Sequence, residues 1–139
     1  MKVSKHVYFL RVADNTSKQQ RLCEVVHEHF VKNHRILIAV PSNEAATFVD
    51  QLLWKMPAES FTPHSIANTS TNERVAITTT TSNVNKATVL INLYSASMNL
   101  SESIEKVYEL LDLTTPEKET ASRTRQSAYS TAGYTIEEK

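Results

Sequence analysis

Five consecutive apolar residues, Ile36-Leu37-Ile38-Ala39-Val40, constrain the fold of this chain more than any other feature. A strand with one face in water alternates apolar and polar residues. An unbroken apolar run has no solvent side, which is the pattern of a central parallel strand covered on both faces. Val89-Leu90-Ile91-Asn92-Leu93 reads the same way, and Val7-Tyr8-Phe9-Leu10 marks a first strand over His6 to Arg11.

Helical signals separate these runs. Thr16 followed by Gln19 predicts a capping box opening a helix, with Leu22, Val25, Val26 and Phe30 facing inward. Ser42 or Asn43 caps a second helix with Ala45, Phe48, Val49, Leu52 and Leu53 on its inner side, and Pro57 stops it. Strand, helix, strand, helix is the order of a parallel sheet with crossover helices. Residues 65–86 are rich in Thr, Ser and Asn; Val75-Ala76-Ile77-Thr78 reads as a strand, with a low-complexity linker the rival reading from Thr78 to Asn85. A short helix from Ser101 to Lys106 and a last strand from Val107 to Leu113 follow. Thr115-Pro116-Glu117 starts a C-terminal helix that Gly133 caps, with a narrow inner stripe of Ala121, Ala128, Tyr129 and Ala132. Residues 1–139 read as a single domain, with no internal repeat.

Composition narrows the chemistry. Lys and Arg number 15, matching 15 Asp and Glu, whereas a domain that grips phosphates is strongly basic; no direct nucleic acid contact is expected. The lone cysteine, Cys23, excludes an internal disulfide, and the first apolar run is too short for a signal-peptide core or a membrane span. A cytoplasmic protein is expected. Gly133 is the only glycine, so no phosphate-cradling loop and no nucleophile elbow can be written. Cys23 falls in the first helix, where packing is the ordinary role of a thiol. Glu24 and His27 form an E-x-x-H step without the second copy a di-iron site needs, and His27 and His29 are expected at the surface. No metal, no cofactor and no catalytic group is expected.

Two stretches exceed what core packing requires. From Leu53 to His64, Pro57 and Pro63 fix the course of a loop beside Trp54 and Phe61. From Arg123 to Tyr134, two arginines precede a glycine–tyrosine helix end. Guanidinium groups beside an apolar pocket suit a peptide carboxylate; a helix-terminating loop and a solvated helix face are the plainer alternatives.

Both stretches resemble the chi subunit family of bacterial DNA polymerase III. Members carry a segment matched here by Trp54, Pro57, Phe61, Pro63 and His64, then Arg-x-Arg and Ala-Tyr-x-x-Ala-Gly-aromatic, matched by Arg123, Arg125, Ala128, Tyr129, Ala132, Gly133 and Tyr134. Weaker echoes run through Tyr8-Phe9-Leu10, Arg35 to Ala39, Val89 to Leu93 and Glu109-Leu110-Leu111-Asp112, in the same order. The resemblance implies an α/β, Rossmann-like fold of the mononucleotide-binding type, mainly parallel, lacking the nucleotide loop. It also implies a DNA replication adaptor with two partners: the psi subunit of the clamp loader, and the acidic C-terminal tail of single-stranded-DNA-binding protein, which ends in phenylalanine. Phe61 and Arg123 match family positions of the tail site, with Arg125 a nearby cation, Trp54, Pro57, Pro63 and His64 shaping the loop, and Tyr129, Gly133 and Tyr134 packing the last helix. Gln126, Ser127 and Ser130 stand where the family places basic or aromatic residues, which lowers the affinity expected for an acidic tail. Two other readings stay open: a diverged member that has lost tail binding, and a Rossmann-like enzyme acting on a phosphate-bearing substrate.

Overall fold

The computed structural model describes residues 5–55, 62–94 and 103–139. In chain order the elements are β1 (His6–Val12), α1 (Asn15–Val31), β2 (Ile36–Ala39), α2 (Asn43–Lys55), β3 (Ser65–Ile66), β4 (Val75–Thr78), β5 (Val89–Asn92), β6 (Lys106–Asp112), α3 (Pro116–Thr131) and β7 (Thr135–Glu138). They build one seven-stranded sheet in the order β3-β4-β2-β5-β6-β1-β7. Every pairing is parallel, with Ile36 opposite both Val75 and Val89, and His6 opposite both Lys106 and Thr135.

The apolar runs sit where their composition demands. All four residues of β2, β4 and β5 are buried. Ile36 and Ile38 join Leu22, Val26, Val49 and Leu53 of α1 and α2 in one apolar layer. Leu37, Ala39, Phe9 and Leu111 face the other way and meet Tyr129 of α3. The chain moves leftward across the sheet from β1 to β2 to β3 but rightward from β6 to β7, and right-handed crossovers therefore put α3 on the face opposite α1 and α2.

Several local expectations change. The cap of α1 is Asp14, whose carboxylate accepts from the Ser17 N–H at 2.7 Å; Thr16 and Gln19 lie inside the helix. The inner face of α1 continues to His29, 1% exposed, because seven residues complete two turns almost in phase, while Phe30, one residue further round, packs partly buried against the same apolar layer. His29 is thus no surface histidine. Ser42 caps α2 by accepting the Ala45 N–H at 3.1 Å; Phe48 turns outward at 53% exposure, and Ala46 takes the inner position. Ala121, Ala128 and Ala132 are exposed, and the buried side of α3 is Ser122 and Tyr129. The Thr78–Asn85 stretch is anchored and not a linker: Asn85 is buried and donates to the Ile36 carbonyl at 2.9 Å. Residues 103–105 form no helix, and β6 is followed by one more strand, β7, at the sheet edge. The Pro57 stop and residues 101–102 of the expected short helix lie outside the described residues.

Gly133 ends α3 as expected. Its φ of +92° turns the chain, while the Tyr134 N–H reaches the Tyr129 carbonyl at 3.2 Å and its own N–H reaches Ser130 at 3.0 Å. Asn33, at φ +64°, closes α1 with the same pair of bonds.

Candidate partner-binding surfaces

The described residues of the two sets marked out by the sequence lie toward opposite edges of the sheet. Trp54, in the last turn of α2, packs its ring 4.5 Å from His64, just before the edge strand β3. His64 is held from both sides: Nδ1 lies 2.8 Å from the Thr62 carbonyl, and Nε2 lies 3.0 Å from the Asp50 carboxylate. Pro63 between them is exposed, as are Trp54, at 50%, and Ile66 on β3. Phe61 and Pro57 lie outside the described residues.

Arg123 sits halfway along α3 and reaches toward β7, the other edge strand. Its guanidinium lies 2.8 Å from one Glu138 oxygen and 3.0 Å from the Gln126 side-chain carbonyl. On its outer side Arg123 borders a shallow groove with Pro116, Glu119, Thr120 and Ser127. At the interstrand spacing of ~4.8 Å, the seven-stranded sheet separates β3 from β7 by roughly 25–30 Å. The helices carrying Trp54 and Arg123 also cover opposite faces.

Arg125, two residues on, points inward. Its Nε donates to Glu109 at 3.0 Å, in a pair with both side chains largely removed from solvent. The second Glu109 oxygen accepts the Tyr129 hydroxyl at 2.7 Å and the Asn92 amide at 2.6 Å. Burial pushes the Glu109 carboxyl above its ordinary range, while these three donors oppose the shift. Tyr129 therefore locks α3 to the sheet, with Tyr134 stacked edge-on 6.0 Å away across the Gly133 turn. Glu109 and Asn92 escaped the sequence reading although each is a polar residue inside an otherwise apolar strand, which is a usable signal. Glu138 and Arg11, which also pairs with it at 3.0 Å, gave none.

A crevice of about 450 Å³ opens at the carboxyl ends of β5 and β6, lined by Leu22, Phe48, Val49, Leu52, Leu93 and Leu110 together with Lys18, Lys118 and Arg125. Parallel α/β sheets bind ligands at this position. Several of its rim groups are already engaged: Lys18 pairs with Asp112 at 2.7 Å, Arg125 pairs with Glu109 at 3.0 Å, and the Ser122 hydroxyl accepts the Asp112 N–H. Burial pushes the Cys23 thiol up to about 11, the behaviour of a packed side chain. Among the described residues, no three His, Cys, Asp or Glu side chains gather to hold a metal, and no helix is long and apolar enough to cross a membrane.

Residues 5–137 match the family described as DNA polymerase III chi subunit, HolC. The chain is also similar to DNA polymerase III subunit chi of Escherichia coli (strain K12), with 26% identity over 121 residues that cover 85% of this chain and 82% of that protein.

Proposed function

The chain belongs to the DNA polymerase III chi subunit family, an accessory subunit family of DNA replication, and on that footing we propose that it is a non-catalytic adaptor joining two partners at two separate surfaces. The match over residues 5–137 carries this reading. One partner is the psi subunit, which ties the protein to the clamp loader; the other is the acidic C-terminal tail of single-stranded-DNA-binding protein. The adaptor works in the cytoplasm by raising the local concentration of the clamp loader at coated single strands, since each contact makes the other effectively intramolecular.

An adaptor of this kind needs surfaces that do not overlap. What supports the assignment is the chemistry of the two edges. The corner of Trp54, Pro63 and Ile66 offers apolar area beside a histidine fixed by Asp50, which suits a folded protein partner such as psi. The exposed guanidinium of Arg123 suits a flexible carboxylate-rich tail. Arg125 acts behind it, holding α3 in place through Glu109.

Arg123→Glu is expected to weaken binding of an acidic peptide ending in phenylalanine roughly tenfold, about 1.4 kcal/mol, by fluorescence anisotropy. Binding should also weaken with added salt, because exposed guanidinium–carboxylate contacts are screened. Unchanged affinity in the variant removes Arg123 from the site. Phe61, implied in the tail site by the resemblance, is assigned by assaying Phe61→Ala against both partners. The second reading, a diverged member without tail binding, is favoured by Gln126 and Ser127, which supply no charge beside Arg123. Absence of any peptide binding by the unaltered protein establishes it.

A further inference from the structure

Glu138 occupies the centre of a small cluster built to hold a carboxylate. One of its oxygens accepts from Arg11 at 3.0 Å; the other accepts from Arg123 at 2.8 Å and from the Gln126 amide at 3.1 Å. The cluster draws on three elements that the fold brings together: donors Arg11 from β1 and Arg123 and Gln126 from α3, and the acceptor from β7. Two guanidinium groups against one carboxylate leave the cluster with a net positive charge. All three bonds are solvent-exposed, with the Arg11 and Arg123 side chains 53% and 41% exposed, so a carboxylate arriving from solution can reach both cations.

We propose that Arg11, Arg123 and Gln126 form a single carboxylate-binding cluster, that Glu138 fills it in the unbound protein, and that an acidic peptide tail takes it over by displacing the Glu138 side chain. This rests on reading Arg123 as a tail contact and adds Arg11 as a second cation and Glu138 as an internal competitor. Displacement needs only rotation of one exposed side chain, because β7 is held by its backbone: the Lys139 N–H reaches the Phe9 carbonyl at 2.9 Å, and the Arg11 N–H reaches the Lys139 carbonyl at 3.0 Å. Exposed ion pairs of this type exchange partners at small cost. A peptide presenting two neighbouring carboxylates matches the two guanidinium groups better than one presenting a single charge, so the cluster selects tails with adjacent acids. The cluster also relates the uncharged neighbours of Arg123 to function. Gln126 supplies a neutral donor beside Arg123, and Arg11 supplies a second cation from another element.

The test is a titration of a labelled acidic peptide ending in phenylalanine against the full chain and its Arg11→Gln, Glu138→Gln and Arg123→Glu variants, with thermal melts to establish folding. Arg11→Gln is expected to weaken binding three- to tenfold and to flatten its salt dependence. Glu138→Gln, which keeps the size of the side chain but removes the competing charge, is expected to strengthen binding by a similar factor. If Arg123→Glu abolishes binding while Arg11→Gln leaves it unchanged, the cluster is wrong and the tail contact stands. Weaker or equal binding by Glu138→Gln overturns the competitor role and makes Glu138 a positioning residue. Should Arg11→Gln melt well below the parent, Arg11→Met, which keeps an unbranched stem and removes the charge, supplies the same comparison. If Arg123→Glu itself has no effect, the tail reading fails at its root.

Discussion

Glu109 is a carboxylate with almost no access to water, and its neighbours decide whether the fold tolerates it. Removing Arg125 as Arg125→Met leaves that carboxylate without a cation in an apolar layer, and the expected loss is about 3–5 kcal/mol in urea unfolding. The pH dependence carries the sign. Because the folded carboxyl titrates above the unfolded one, stability falls as pH rises through that interval, and Arg125→Met should extend the fall to higher pH. His29 shows the opposite slope. Its Nε2 lies 2.7 Å from the Tyr108 hydroxyl and its Nδ1 lies 2.9 Å from His34 Nδ1, a contact that cannot survive with both rings doubly protonated. Burial pulls its pKa from 6.5 down to about 4, with Glu28 opposing and His34, Lys106 and Lys32 assisting. Between those values the unfolded chain binds more protons, so stability should drop as pH falls from 6.5 to 4, and His29→Gln should flatten that slope in urea midpoints.

At the scale of elements, the helix ends show how far local chemistry carries. Thr115, Pro116 and Gly133 are legible in the sequence because a cap depends on residues within a few positions of itself. Gly133→Ala tests the turn: the backbone there has φ +92° and an added Cβ meets nothing within 4 Å, so the expected cost is conformational, about 1 kcal/mol or slightly more by thermal unfolding. On the inner face of α3 only Tyr129 was legible. The alanines look like a packing stripe, but the side that turns inward is Ser122, Arg125 and Tyr129, because Glu109 waits on β6. Nothing near α3 in the chain announces that partner. The edge strands were hidden for another reason. Thr135–Glu138 and Ser65–Ile66 are short, and an edge strand half in water needs no apolar pattern. The central strands needed one, which is why β2, β4 and β5 could be read directly.

For the whole molecule, the wide sheet between β3 and β7 sets what binding at one edge can do to the other. If the proposed partners occupy these two edges, roughly 25–30 Å apart at the interstrand spacing, they should bind independently. Saturating the protein with psi is therefore expected to change the tail dissociation constant by less than about twofold, the scatter expected of sites too far apart to couple. Trp54→Ala should then impair only psi and Arg123→Glu only the tail, each followed by anisotropy. Spacing along a chain says nothing of which sheet edge a loop reaches: Trp54 and His64 lie beside β3 and Arg123 beside β7, while Phe61 and Pro57 lie outside the described residues. The position of β1 has a different outcome, for synthesis. His6–Val12 is made long before its two neighbours, which are built from residues 106–112 and 135–138. Until those are made, a mostly apolar ribbon has both hydrogen-bonding flanks open, whereas β2, β3, β4 and β5 can already pair among themselves.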